Sequence, residues 1–306
     1  MALKIIFMGT PNFSVPILKS IFDSKHKILS VYTQSPKKKN RGQKKKYTPV
    51  HDYALKNKID VRYPEILNTD EEVNFIKELN PDVVVVVAYG KMIPHEFLKI
   101  KNVMFINIHA SLLPLWRGAA PIQRSIMNLD AETGVSIMKV IEKLDAGPLM
   151  LKEKIPIDKN DDYESLSNKL SVLGSKLILK SLDLLENDSF KFIDQDNSKA
   201  TYARKIEKKE SKIVWRLPAE NVLAQIKGLS PSPGAWFTHK NSRLKIIKAK
   251  KINKSGKIGE ILTEDLVVAC GSEAIKIIMI QKEGKKILNA KDFLSGFKIK
   301  KGEFLS

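Results

Sequence analysis

Three polar residues have types and positions that suit polar catalysis. Asn107 and His109 alternate within Ile106-Asn107-Ile108-His109, so on a strand they share one side while Ile106 and Ile108 face the other. Asp145 sits in Leu144-Asp145-Ala146-Gly147, between two apolar runs. An amide and an imidazole N–H can donate to a developing oxyanion, and a carboxylate can take up a proton. Each residue also has an ordinary structural use. A histidine at a strand end hydrogen-bonds locally, an asparagine caps the next turn, and an aspartate before Ala-Gly makes a turn. Spacing alone does not bring position 145 to position 109.

The elements around them read as an α/β sheet. Strands are predicted at Lys4–Met8, His26–Thr33, Ile59–Arg62, Val83–Ala88 and Val103–His109, separated by helices at Ser14–Asp23, Val50–Asn57 and Glu71–Leu79. The run from Val83 is continuously β-branched, as a parallel strand covered on both faces requires. Ser111-Leu112-Leu113-Pro114 closes the strand bearing Asn107 and His109, which puts both near the carboxyl edge where open α/β sheets bind ligands. Helices at Pro121–Asn128 and Asp162–Leu185 flank an antiparallel pair, Gly134–Val140 and Pro148–Ile155, with Asp145 in its turn. The polar stretch near 188–199 reads as a linker. Beyond a helix at Ala219–Lys227, short strands at 235–238, 243–251, 258–262, 266–270 and 274–280 suggest a small barrel.

Several alternatives are absent. Gly9-Thr10-Pro11 lacks both the three-glycine dinucleotide spacing and the Gly-Lys-Ser/Thr of a P-loop, and no Gly-x-Ser-x-Gly elbow occurs. The histidines at 26, 51, 95 and 239 show no ligand spacing, so no metal is expected. The single cysteine, Cys270, falls in a predicted barrel strand and reads as core; one cysteine also fits a reducing compartment. The longest apolar run is far shorter than the roughly 20 residues of a membrane helix, and a cytoplasmic protein without a membrane partner is expected.

Net charge is +19 over 306 residues, and it is concentrated. Residues 31–50 hold seven basic residues and no acid, and residues 201–257 hold fifteen basic residues and three acids. A lysine-biased composition would spread its excess more evenly. Two separate basic zones suit one extended polyanion contacted at two points, without specifying its sequence.

The run Asn107-Ile108-His109-Ala110-Ser111-Leu112-Leu113-Pro114-Leu115-Trp116-Arg117-Gly118-Ala119-Ala120-Pro121-Ile122-Gln123 resembles the signature of the 10-formyltetrahydrofolate-dependent formyltransferases. Glu132-Thr133-Gly134-Val135 and Leu144-Asp145-Ala146-Gly147 are similar to its second half, with Ser136 where threonine is usual. Phe7-Met8-Gly9-Thr10-Pro11-Asn12-Phe13 and Gly228-Leu229-Ser230-Pro231-Ser232-Pro233-Gly234-Ala235 extend the likeness over essentially the whole chain. Within the superfamily it most resembles the methionyl-tRNA formyltransferase family.

That resemblance implies a Rossmann-like formyltransferase domain at 1–189, a linker at 190–207 and, at 208–306, a barrel resembling the oligonucleotide-binding fold. It implies Asn107, His109 and Asp145 as catalytic residues, 10-formyltetrahydrofolate as formyl donor and initiator methionyl-tRNA as acceptor, on a monomeric enzyme. The folate would lie against Val87, Ala88, Tyr89, Gly90 and Met92, with Ser111, Leu112, Leu113, Pro114 and Leu144 around it. The family's tRNA-contacting loop maps onto 34–48, giving Arg41, Lys44, Lys45 and Lys46, although Ser35-Pro36-Lys37-Lys38-Lys39 departs from the usual Pro-Asp-Arg-Pro start. Arg204, Lys208, Lys248 and Lys250 would hold more distant RNA backbone. Arg117 would either orient a loop carbonyl or touch the RNA end. Rival readings keep the three catalytic residues but formylate a small amine, hydrolyse the formyl-folate, or bind RNA without catalysis.

Overall fold

The computed structural model describes the backbone of residues 1–39 and 44–305, and side chains over 1–36 and 46–305. Strand β1 (Lys4–Gly9) passes through Thr10–Phe13 into α1 (Ser14–Phe22). Next come β2 (Lys27–Tyr32), a hairpin of β3 (Lys37–Lys39) and β4 (Lys44–Lys46), α2 (Pro49–Lys56) and β5 (Val61–Arg62). The basic segment expected as a loop thus contains a short antiparallel pair. Thr48 caps α2 by accepting from the His51 N–H, with Pro49 in the first turn. Helix α3 (Asp70–Leu79) is capped by Thr69 and opens with three acidic residues, which suit the positive end of its dipole.

The valine run Val83–Val87 forms β6 and is buried at every position. After the short α4 (His95–Leu98), β7 (Met104–His109) lies parallel to β6, with Val86 opposite Asn107. Helix α5 (Pro121–Met127), β8 (Glu132–Lys139), β9 (Leu149–Pro156) and α6 (Tyr163–Glu186) follow. The seven-stranded sheet runs β5-β2-β1-β6-β7-β8-β9. Its first five strands are mutually parallel, and β8 and β9 are antiparallel additions. The carboxyl ends of β5, β2, β1, β6 and β7 therefore share one edge.

The chain divides into two compact units. The first comprises Met1–Pro121, Glu132–Pro156 and Ser167–Ala203; the second comprises Ile122–Ala131, Ile157–Leu166 and Arg204–Ser306. Residues 190–203, expected within a linker, belong to the first unit because their backbone is paired there. Ile193 and Leu149 exchange N–H···O bonds, Arg117 N–H donates to the Thr201 carbonyl, and Ala203 N–H donates back to that of Arg117. Backbone pairing leaves no mark in hydropathy, so a polar stretch can be ordered without looking so.

In the second unit α7 (Ala219–Leu229) is followed by β10 (Ala235–His239), β11 (Ser242–Ile252), β12 (Ile261–Thr263), β13 (Val267–Ala269), β14 (Ala274–Lys282), β15 (Ile287–Asn289) and α8 (Ala290–Gly296). The antiparallel sheet is ordered β10-β11-β14-β13-β12, with β15 also on β14. Ile213, Trp215, Val222, Phe237, Ile246 and Ile277 belong to its core. A register shift in β11 explains its lysines. Leu244 and Ile246 are buried, so strict alternation would bury position 248; the irregularity around Lys248 instead leaves Lys248 and Lys250 exposed and buries Ala249. Among the described residues no helix is long and apolar enough to cross a membrane.

Candidate active site

The structure brings Asn107, His109 and Asp145 together. Asn107 Nδ2 lies 3.5 Å from Asp145 Oδ1, and His109 Nδ1 lies 3.7 Å from Asp145 Oδ2. His109 and Asp145 are almost wholly shielded from solvent, with side-chain exposures of 7% and 11%. The other ring nitrogen of His109, Nε2, is 2.9 Å from the Trp116 carbonyl, an acceptor that assigns it a proton and turns Nδ1 toward the carboxylate. Asp145 Oδ2 also accepts from the Gly118 N–H at 2.8 Å. The strand-end pair and the β8–β9 turn thus meet across β8, where His109 is opposite Ser136.

Backbone conformations bordering the site are sparsely populated ones. Ala88, Trp116 and Asp145 all have positive φ, at 46°, 60° and 47°. Two glycines permit close approaches there. A Cβ on Gly147 would stand 1.8 Å from the Lys139 carbonyl, and one on Gly118, whose φ is +120°, would stand 2.8 Å from that of Ala203.

A buried relay holds the turn of Asp145, and its middle member is Gln195. Gln195 Nε2 donates to the Asp145 carbonyl at 3.0 Å and to the Gly147 carbonyl at 2.7 Å. Gln195 Oε1 accepts from Arg117 Nε at 3.1 Å and Nη2 at 2.8 Å, and Nη2 also reaches Asn197 Oδ1 at 2.9 Å. Arg117 is 1% exposed. Its guanidinium is bonded to a loop amide, the first of the two uses expected of it. Gln195 sits in a stretch that reads as a linker, and no spacing signal singles it out.

The residues expected around a folate divide by exposure. Met92 is 59% and Leu144 50% exposed; both are large and apolar. Their loops are joined by a contact between His95 Nδ1 and Glu142 Oε1. Ala88 and Gly90 are exposed after β6, Gly90 with φ +83°. Leu112 and Pro114 are half-buried. Val87, Tyr89, Ser111 and Leu113, by contrast, have buried side chains. The Tyr89 carbonyl accepts from Thr10 Oγ1 and Gln34 Nε2, and burial pushes its phenol well above the usual value. Ser111 Oγ donates to the Leu115 carbonyl, and Leu113 N–H donates to Ser136 Oγ.

Among the basic residues, Lys46, Arg204, Lys208, Lys248 and Lys250 are exposed. Arg41 lies outside the described residues, as do the side chains of Lys44 and Lys45. Cys270 is buried and its thiol is pushed up to about 11 by burial, as suits a core residue. His26, Asp183 and Glu186 cluster closely enough to hold a cation. That cluster already contains cations: Lys25 pairs with both acids, the N-terminal ammonium pairs with Glu186, and His26 Nδ1 accepts from the Leu3 N–H.

Residues 3–182 match the formyl transferase family, and residues 205–298 match the formyl transferase C-terminal domain. The methionyl-tRNA formyltransferase of Pelagibacter ubique (strain HTCC1062) is 51% identical over 304 residues, covering 99% of this chain and 98% of that protein. That of Parvibaculum lavamentivorans is 43% identical over 98% of this chain and 99% of that protein. In fold the chain is similar to HypX from Aquifex aeolicus in complex with tetrahydrofolic acid, with TM-score 0.70 and 18% identity over 100% of this chain and 51% of the other. It is also similar to the sugar 3N-formyl transferase WlaRD in the presence of dTDP and 5-N-formyl-THF, with TM-score 0.67 and 22% identity over 94% of this chain and 100% of the other.

Proposed function

The chain belongs to the methionyl-tRNA formyltransferase family, and on that premise we propose that it transfers the formyl group of 10-formyltetrahydrofolate to the α-amine of methionine esterified to initiator tRNA. The observation that carries the residue roles is the convergence of Asn107, His109 and Asp145 at the carboxyl edge of the sheet. The exposed apolar Met92 and Leu144, on loops joined through His95 and Glu142, suit one face of a flat heterocycle beside that edge.

The bound donor supplies an electrophilic formyl carbon, which passes from N10 to the amine nitrogen. The Asn107 amide donates to the formyl oxygen as negative charge develops there, a contribution typically worth about 3 kcal/mol. Its 3.5 Å contact with Asp145 is long, so the amide is free to take a better acceptor. Asp145 takes the proton released by the attacking nitrogen, directly or through water. His109, whose Nε2–H is held by the Trp116 carbonyl, takes that proton from Asp145 at Nδ1 and passes it to the departing N10. Exposed Lys46, Lys248 and Lys250, with the basic residues around 41–45, meet the RNA phosphates. The same reading makes the enzyme a cytoplasmic monomer without a membrane partner.

The test is transfer of labelled formyl to initiator methionyl-tRNA, with elongator methionyl-tRNA and free methionine alongside. Product on the initiator alone is expected. Turnover of the donor on a small amine or on water, with no labelled RNA, would overturn the reading.

A further inference from the structure

An aromatic stack stands at the foot of the basic hairpin. The rings of Tyr47 and His51 lie 4.1 Å apart at 25°, and His51 lies 5.2 Å from the ring of Tyr63. Tyr47 and Tyr63 are 42% and 46% exposed, whereas His51 is 4% exposed and its Nδ1 has no hydrogen-bond partner. Burial holds His51 below the ordinary imidazole value, so the middle ring is neutral near pH 7.

The stack is fastened to the edge that carries the catalytic residues. Tyr63 follows β5, whose carboxyl end lies on the same edge as that of β7. Four strand spacings separate β5 from β7 in the sheet order, which at about 4.8 Å each is about 19 Å. Thr48, next to Tyr47, is bonded through Oγ1 to Thr33 Oγ1 at the end of β2, at 2.7 Å. Beyond Tyr63, Lys91 Nζ donates to the carbonyls of Pro64 and Glu65 at 2.6 and 2.7 Å, and Ser35 Oγ donates to that of Tyr63 at 3.0 Å. The rings are thus held in place before any partner arrives, which lowers the ordering cost of binding.

We propose that Tyr47, His51 and Tyr63 form a stacking platform for an unpaired nucleobase of the acceptor end of the aminoacyl RNA. This rests on the reading that such an RNA is the acceptor. Seven basic residues and no acid in 31–50 supply the field that draws a polyanion here. An exposed aromatic face beside cations is the arrangement by which proteins hold single-stranded nucleic acid, with the π-face taking the base and the cations the phosphates. With the aminoacyl ester at His109, a few unpaired nucleotides span the distance to the platform.

The experiment is steady-state formyl transfer to initiator methionyl-tRNA by the full-length wild type, Tyr47→Ala, Tyr47→Phe and Tyr63→Ala. Beside it, 2-aminopurine is placed at each unpaired acceptor-end position and its quenching on binding is measured. Loss of one stacked base is expected to raise KM for the RNA by about 5- to 100-fold in Tyr47→Ala. The kcat and the KM for the formyl donor stay within twofold, and Tyr47→Phe, which keeps the ring, behaves as wild type. Quenching at one position is expected to disappear in Tyr47→Ala. A KM for the RNA within twofold in both alanine variants, or quenching unchanged at every position, would overturn the platform. Failure of the functional reading is seen separately, as a wild type that formylates no RNA.

Discussion

Replacing Gln195 with alanine removes the side chain that, among the described residues, joins Arg117 to the turn carrying Asp145. Its carboxamide accepts twice from the guanidinium and donates to two carbonyls, and the residue is 8% exposed. A buried polar group left without a partner costs about 1–3 kcal/mol, more for a charged one. Arg117 keeps Asn197, and water entering the truncated site restores part of the rest, so the net loss is about 2–4 kcal/mol of stability. The rate falls for a different reason. Asp145 holds a φ of +47°, unfavourable for a residue with a Cβ, and the turn relaxes once its carbonyl is released. A shift of about 1 Å at a catalytic group costs about 100-fold. Gln195→Glu separates the two effects. The carboxylate still accepts from Arg117, preserving most of the stability, but presents an acceptor to the carbonyls of residues 145 and 147. Urea unfolding and single-turnover formyl transfer, run where each variant is fully folded, read the two quantities. The expected pattern is a large stability loss for alanine only, and a rate loss of about 100-fold for both. Rates within threefold of wild type in both variants would refute the claim that Gln195 positions Asp145.

Asn107→Ala is expected to lower kcat by about 100- to 1,000-fold with little change in the unfolding midpoint, since one oxyanion donor is lost from a half-buried site; a kcat within fivefold would remove Asn107 from that role. His26, His51 and His239 are each held below the ordinary imidazole value of 6.5, chiefly by burial. The unfolded chain therefore binds protons first, so their contribution to stability is full above about pH 6.5 and declines as pH falls through that value; a urea midpoint that rises from pH 7.5 to 5.5 would contradict this. Cys270, with its thiol pushed up to about 11 and 3% exposed, is expected to resist aromatic disulfide reagents at pH 8 until the chain unfolds. Modification faster than global unfolding would show that the segment after β13 opens locally.

Much of this protein is determined locally. Val83–Val87 reads as a strand covered on both faces, Asn68-Thr69-Asp70 as a helix start, and alternation alone puts Asn107 and His109 on one side of β7. Each of these follows from the residue and its near neighbours, and the signature run 107–123 carries the chemistry with it. The charge excess is likewise a property of composition. Other features depend on partners far along the chain. That Asp145 reaches His109 is decided by the β7–β8–β9 pairing and by a turn conformation no periodicity encodes. Gln195 looked like a linker residue, and Arg117 stood open between orienting a loop carbonyl and touching an RNA end, because a side chain's burial is set by what packs over it. The exposure of Lys248 was decided by the register shifts on either side of it in β11, and the Tyr47–His51–Tyr63 stack by the return of β5 to the end of β2. Local propensity and hydrophobic period act over a turn or a strand and are legible in one dimension. Contacts between residues dozens of positions apart exist only once the sheet has closed the distance.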